Sequence, residues 1–573
     1  MTLLSKTRRE QSPEADSLRM GCGWSRRDTD QAWVLIETTA GDSHPGSKHL
    51  GELSKYVEKG VITSGAAHAH YTCTDICDGI AQGTAGMDYS LPSREVMVMA
   101  SEMHANAGHF DGIVFLSGCD KSLPAHLIAA VRLNRPSIVV PGGVMDSGPD
   151  GSTLEGVGTA YAQKRRGELD EAAFEFLRQG ACPSTGSCAF FGTAATMQML
   201  SEVMGFAQPV SALIPSHLNA LKQAATSAGE RISELIQEGL TVDKIFTPDA
   251  LYNALVVHAA TGGSTNALIH LAAMALEAGI PFSYEMINEI NARVPFILNL
   301  KPSGKFNCNM LWYAGGIPRL MKELAPFLRL DALTVTGLSW QENLDILERM
   351  GHFENMPRFL SNYGATVRDL ILPIESPIRP RGAIQILFGN IAPEGAVLKV
   401  SAMKEMTEFT GKARVFNRQA DALEAVYQGK INPGDVLVIR YEGPRATGMP
   451  EQFYLTEAIA SNPLLATSTC LITDGRFSGA TRGPAIGHVS PEAQDGGPIA
   501  FLQEGDQITV NLTSSRLDLA GTAESPLSPN QAAALLKERA TLWEPPKRKY
   551  TQGMLGIYTK NAQPASRGGG LSQ

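Results

Sequence analysis

The feature that most narrows the fold is an alternation around residue 120. A short apolar run from Gly112 to Leu116 is followed by a helical pattern from Pro124 to Val131, then by a second apolar run from Ser137 to Val140. Two parallel strands need a long crossover between them, and a helix is the usual way to make it. Strand-like and helical stretches alternate in this way from Val34 to about Leu372, which predicts an α/β fold with a parallel sheet. Helices are expected at Thr193 to Met204, Thr265 to Ala278, Tyr284 to Ala292 and Thr456 to Ala460. Met97, Met99 and Met103 read as the core face of another helix.

The texture changes at Pro373. The stretch from Leu372 to Arg381 holds three prolines, which suits an extended linker. Beyond it, strand-like pieces separated by glycine turns dominate: Ala383 to Phe388, Ala396 to Val400, Val436 to Arg440, Cys470 to Thr473 and Gln507 to Asn511. They predict a smaller β-rich, barrel-like domain. Residues 1–30 read as a loose lead-in, 31–375 as the α/β domain and 376–573 as the β-rich domain.

Composition matters here for what it excludes. Hydrophobic residues are 43% of the 573 and charged residues 19%, so the chain is globular and long enough to bury a large core. The net charge is −9, and basic residues are scattered apart from short pieces such as Lys164-Arg165-Arg166, which argues against nucleic acid as the partner. Met1 to Asp16 is polar, without the apolar centre of a secretory signal. No window approaches the ~20 apolar residues of a spanning helix. A cytoplasmic protein without a membrane partner is expected. In a reducing compartment the eight cysteines are thiols or metal ligands rather than a disulfide framework.

Five glycine-punctuated loops carry the chemistry. Cys77-Asp78-Gly79-Ile80-Ala81-Gln82-Gly83 offers a carboxylate, the hard oxygen donor magnesium prefers. An ordinary Asp-Gly turn is the competing reading of that loop taken alone. Gly118-Cys119-Asp120-Lys121-Ser122 follows the strand-like run ending at Leu116, where open α/β sheets place their sites. Its soft thiol suits iron and its carboxylate suits magnesium, although a solvated turn with a buried cysteine fits it too. Cys182 and Cys188 flank a third loop, and Cys188 lies just before a helix whose N–H groups favour a thiolate. Thr261-Gly262-Gly263-Ser264-Thr265-Asn266 opens another helix. Its exposed N–H groups can hold a substrate carboxylate, or Ser264, Thr265 and Asn266 are simple caps. In the β-rich part, Glu442 offers a carboxylate and Ser478 sits in a glycine loop, Asp474 to Gly479. His68 and His70 read as ordinary surface or core histidines. No phosphate loop, zinc-protease helix, dinucleotide fingerprint or nucleophile elbow is present.

Taken together and in order, these loops resemble the dihydroxy-acid dehydratase and phosphogluconate dehydratase family. The matching pieces also include Ser90 to Arg94, Gly192 to Met197, Lys301 to Gly304, Gly389 to Pro393, Tyr441 to Pro444 and Gly487 to Glu492. The resemblance implies an α/β domain carrying an iron–sulfur cluster and a barrel-like swivel domain, assembled as a homodimer or a dimer of dimers. It implies Cys119 and Cys188 as cluster ligands, Asp78, Asp120 and Glu442 as magnesium ligands, Lys121 as a further oxygen ligand when carbamylated, and Ser478 as the base.

The chain departs from the family at one place. Many 2Fe–2S members have a cysteine in a Pro-Cys-Asn-x-His-Leu stretch, where this chain has Pro45-Gly46-Ser47-Lys48-His49-Leu50. Cys77 is then the third ligand, with Cys182 the alternative, and the cluster is of the 2Fe–2S or the 4Fe–4S kind. The implied reaction removes water from a 2,3-dihydroxy carboxylic acid to give a 2-keto acid. The Cys77–Gly83 loop and the stretch after Cys188 lean towards a sugar acid such as an aldonate. Dihydroxy-isovalerate is the alternative substrate, and a non-catalytic iron–sulfur sensor is the alternative of another class.

Overall fold

The computed structural model describes residues 3–402, 407–479, 481 and 483–572. The parallel sheet is there, with four strands: β1 (Trp33–Thr38), β2 (Ala67–Thr72), β3 (Gly112–Ser117) and β4 (Ser137–Pro141), in the order β2-β1-β3-β4. All pairings are parallel; Val34 lies opposite both His68 and Gly112, and Ile113 opposite Ser137. β1, β3 and β4 are buried along their whole length, which explains their unbroken apolar runs. β2 is the one of the two edge strands that turns polar where it meets solvent.

Helices cover the sheet. Leu50–Thr63 and Asn219–Glu238 meet backbone to backbone: a Cβ on Gly229 would stand 2.1 Å from the Val57 carbonyl oxygen, and one on Gly60 2.1 Å from that of Thr226. Beyond β4 the alternation stops. From residue 142 to 383 the described residues form helices and isolated bridges, with no further strand of that sheet. The apolar stretches there, such as Leu255–Ala260, are interior helices, buried on every side and without the polar face that marks a surface helix.

The second sheet has eight strands: β5 (Ile384–Leu387), β6 (Gly395–Lys399), β7 (Glu408–Phe416), β8 (Asp435–Ile439), β9 (Cys470–Thr473), β10 (Ala485–Ser490), β11 (Gln507–Asn511) and β12 (Arg516–Gly521). Their order is β12-β11-β7-β8-β9-β10-β6-β5. The four central strands are parallel and the outer pairs antiparallel. A bridge from Phe388, just past β5, to Arg516 at the start of β12 brings the two edges together, so the sheet is nearly a closed barrel. Val436, Val438, Ile472, Ile486, Val510 and Leu517 pack in its core.

Two expectations fail. The lead-in is not loose: it forms helices Leu4–Gln11, Glu14–Gly21 and Arg26–Asp30. Ser5 ties it down, its N–H and hydroxyl both donating to Asp111 at 3.1 and 2.6 Å, and Trp24 packs edge-on against Trp33. Of the three methionines on the helix Ser90–Gly108 only Met97 is core. Met99 and Met103 are 46% and 58% exposed and form an outward stripe with Val96. No helix among the described residues is long and apolar enough to cross a membrane.

Candidate active site

The loops that follow β1, β2 and β3 leave the same, carboxyl-terminal edge of the parallel sheet, and there they bring the chemistry together. Cys77 and Asp78 come from the β2 loop, and Cys119, Asp120 and Lys121 from the β3 loop. All of these but Lys121, which lies behind them, line one cavity of about 240 Å3 with Cys188, the start of the helix Thr193–Val203, and Glu451 and Ser478 from the barrel half.

Three carboxylates converge in it. Asp78, Asp120 and Glu451 each offer an oxygen, all within 4.8 Å of one another. The Lys121 ammonium, fully buried, donates to Asp78 at 2.8 Å, and the Ser90 hydroxyl donates to the other Asp78 oxygen at 2.6 Å. Burial raises Asp78, but Lys121 and Arg476 outweigh it and hold the carboxyl below its usual range. Asp120 accepts the Ala194 N–H at 3.0 Å, at a helix N-terminus, where a negative charge is favoured. Burial, and after it the Asp78 charge, nevertheless push Asp120 up to about 6. Glu451 accepts from Asn266 Nδ2 at 2.6 Å and Gln82 Nε2 at 2.8 Å and pairs with Arg476; burial lifts it to about 7.

Glu451 is the residue sequence reasoning missed, and Glu442 the one it put in its place. Glu442 does not line the cavity. Its carboxylate accepts the Gln419 N–H at 3.1 Å and the Thr447 hydroxyl at 3.3 Å, and burial raises it to about 7. A sequence signal for Glu451 exists only in hindsight: it follows a Gly448-Met449-Pro450 turn.

Ser264, Thr265 and Asn266 stand behind the cavity wall rather than in it. The Ser264 hydroxyl shares a hydrogen bond with Thr193 at 2.8 Å, and Asn266 Nδ2 also reaches Thr193 at 3.1 Å. The Ser264 and Asn266 N–H groups are taken by Thr196 and Ser264 hydroxyls, so this loop orients Glu451 and Thr193 instead of presenting an anion site.

The thiols line the same cavity. Cys119 donates to the Cys77 sulfur, which lowers Cys77 and raises Cys119 well above the usual thiol range. Burial raises Cys188. Cys182 is exposed and outside the cavity lining. Close by, His44 bonds Asp75 at 2.8 Å; burial lowers its pKa, but the carboxylate outweighs this and leaves it raised. Most of the remaining lining is apolar, with Leu154, Val157, Phe174, Phe190 and Phe453, but Glu155, Tyr161, Arg178 and Tyr454 line it as well. Soft thiols and hard carboxylates thus share a pocket sized for a small acid, a combination that suits two different metal centres acting on one molecule.

That pairing suits a hydro-lyase, and comparison with known proteins agrees with that class. Residues 31–343 match the dihydroxy-acid/6-phosphogluconate dehydratase N-terminal family model and residues 369–569 its C-terminal counterpart. The chain belongs to this family, and it is an enzyme of the dehydratase class. Similar proteins include the dihydroxy-acid dehydratases of Caldanaerobacter subterraneus subsp. tengcongensis, 40% identical over 96% of both chains, and of Ignicoccus hospitalis, 41% identical over 92% of both. That of Acetivibrio thermocellus is 39% identical over 95% of both. These relatives bear the dihydroxy-acid name, so they favour the alternative substrate over the sugar acid placed first from sequence.

Proposed function

We propose that the protein dehydrates a 2,3-dihydroxy acid with a short branched apolar tail, of the dihydroxy-isovalerate kind, to the corresponding 2-keto acid. One observation carries this reading: beside the carboxylates, thiols and Ser478, the greater part of the cavity surface is apolar, with Leu154, Val157, Phe174 and Phe453, and few polar groups such as Glu155 and Arg178 interrupt it. The several hydroxyls of a sugar acid would lie largely against that apolar surface, where partners are few, at a cost. The identity to dihydroxy-acid dehydratases over nearly the whole chain supports the same choice.

The residues fit the two groups the family implies. Asp78, Asp120 and Glu451 would hold magnesium, and Cys77, Cys119 and Cys188 would hold an iron–sulfur cluster of the 2Fe–2S or 4Fe–4S kind. Two buried cations, Lys121 and Arg476, already pair with the carboxylates. Carbamylation of Lys121 removes one of them and adds an oxygen donor, which favours a divalent ion there. When bound, the two groups supply Lewis acidity at either end of the C2–C3 bond.

Ser478, its pKa lowered by a cation held at the carboxylates, loses its hydroxyl proton to solvent; it then takes the C2 proton on its alkoxide oxygen and becomes a hydroxyl again. The C2–H electron pair becomes the C2=C3 bond as the C3–O bond breaks, and the departing hydroxide takes the proton Ser478 accepted, leaving as water and restoring the alkoxide. The enol tautomerises to the ketone. Asn266 and Gln82 orient Glu451, and the apolar wall orients the tail. We further propose that copies associate through the Val96, Met99 and Met103 stripe, as a homodimer or homotetramer in the cytoplasm.

The test is anaerobic purification with iron and sulfide analysis, then 2-keto acid release from dihydroxy-isovalerate and a panel of aldonates, with and without magnesium. Turnover of dihydroxy-isovalerate, lost in Ser478→Ala, is expected. Turnover of an aldonate alone would overturn the substrate choice, and near-normal turnover in Ser478→Ala would overturn the base.

A further inference from the structure

The thiol wall has a neighbour of different chemistry. His44, on the loop after β1, is only 4% exposed. Its Nε2 lies 2.8 Å from Asp75 Oδ1 and 3.1 Å from the Ser47 oxygen. Ser47 donates its own proton to the Gly41 carbonyl at 3.0 Å, and the Asp75 carboxylate only accepts, so both contacts draw a proton to Nε2. In the neutral ring this leaves the lone pair on Nδ1. No group of the described residues hydrogen-bonds that atom, although it is buried.

Nδ1 points at the place where the family's cysteine is missing. A side-chain carbon on Gly46 would stand 3.2 Å from His44 Nδ1 and 3.3 Å from Cys119 Sγ. The imidazole nitrogen therefore borders the space that a cysteine sulfur at position 46 would enter, on the flank of Cys119. A histidine that ligates a metal through one nitrogen characteristically donates the other N–H to a carboxylate, which fixes the ring. Asp75 is in that position.

We infer that His44 ligates the iron–sulfur cluster through Nδ1, joining Cys77, Cys119 and Cys188; this rests on the cluster assignment proposed above. A neutral nitrogen donor leaves its iron poorer in electrons than a thiolate does, and histidine in place of cysteine raises cluster potentials. Such an iron is better suited to take a substrate hydroxyl as an added ligand.

The test uses the full chain, loaded anaerobically and assayed for iron and sulfide. The reduced, paramagnetic protein is examined by pulsed EPR with histidine of natural abundance and with 15N-histidine, beside His44→Cys and His44→Ala. A strongly coupled nitrogen that responds to the label and vanishes in His44→Cys, with iron content retained, is the expected result. A cluster with no strongly coupled nitrogen, with only the weak coupling of a hydrogen bond to sulfur, or with coupling that persists in His44→Cys would overturn the inference while leaving the cluster standing. A protein that takes up neither iron nor sulfide sinks the cluster assignment and the ligand together. Should the variants misfold by circular dichroism, the labelled unmodified protein still decides whether an imidazole is bound.

Discussion

Divalent-cation binding at the carboxylate triad should depend steeply on pH, and Glu451 should carry most of that dependence. Burial holds Glu451 at about 7 and Asp120 at about 6 when no cation is present. A bound cation needs both ionised, so each proton held at the working pH must leave on binding. The sign follows: affinity rises with pH and levels off above the higher value. Treating the two groups as independent, Glu451 contributes roughly a tenfold loss of affinity between pH 8 and pH 6, and Asp120 roughly a twofold loss. The product is about twentyfold, or about 1.8 kcal/mol.

The assay is isothermal titration of magnesium or manganese into the protein at pH 6, 7 and 8, in buffers of differing ionisation enthalpy that count released protons. Glu451→Gln keeps an oxygen donor but loses the titrating proton, so its pH dependence should shrink to about twofold. Any effect of Lys121 is common to both proteins and cancels in their ratio. Glu442→Gln should leave the pH dependence unchanged. Equal pH slopes in the Glu451→Gln and unmodified proteins would refute the placement of Glu451 at the cation.

Four further outcomes are expected. Asn266→Ala removes the 2.6 Å donor to Glu451; it should raise the magnesium concentration needed for half-maximal activity roughly tenfold or more, as loss of a charged hydrogen bond does, and leave substrate KM nearly unchanged if Asn266 orients Glu451 rather than holding substrate. Gly229→Ala forces apart the two helices in contact at Val57, and should lower stability in urea by about 1–3 kcal/mol; no change would contradict that contact. His126 is buried without a hydrogen-bond partner for either ring nitrogen, and burial lowers it to about 3. Its contribution is complete above the unfolded value near 6.5 and is lost as pH falls, so His126→Leu should flatten the acid side of the stability curve by about 1.4 kcal/mol per pH unit. Met103→Glu puts a charge in the exposed Val96–Met103 stripe and should shift the assembly towards monomer by light scattering, with the far-UV spectrum kept.

Much of this was readable from the residues, and what was not has physical causes. Cys119-Asp120-Lys121 announces itself because three functional groups follow a strand, and the barrel strands show because glycine turns separate short β-branched runs. Glu451 gives no such sign: a carboxylate acquires its role only when folding brings Asp78 and Asp120, over 300 residues earlier in sequence, within 4.8 Å of it. Glu442, in a Tyr-Glu-Gly-Pro turn of the same type, looked equally suitable, yet its carboxylate serves the Gln419 N–H. The lead-in looked loose because its helices are polar; what orders them is distant, Asp111 for Ser5 and Trp33 for Trp24. Sequence leaves Ser264, Thr265 and Asn266 open as anion binders or as plain caps, and the N–H groups of Ser264 and Asn266 are spent on Thr196 and Ser264 side chains.

The split of the cavity between the two halves of the chain also sets an order of events during synthesis. Cys77, Cys119 and Cys188 all lie before residue 200, whereas Glu451 and Ser478 follow residue 450. At ribosomal rates of ~5–20 residues per second, the last of these thiols is made on the order of 10 to 50 s before Glu451. In that interval the nascent chain carries its soft ligands without the barrel wall that later closes over them, so they are open to iron donors and to oxidants alike. Chains arrested short of residue 450 should accordingly lose these thiols to an alkylating reagent faster than the finished protein does; equal rates would mean that the barrel gives them no shelter.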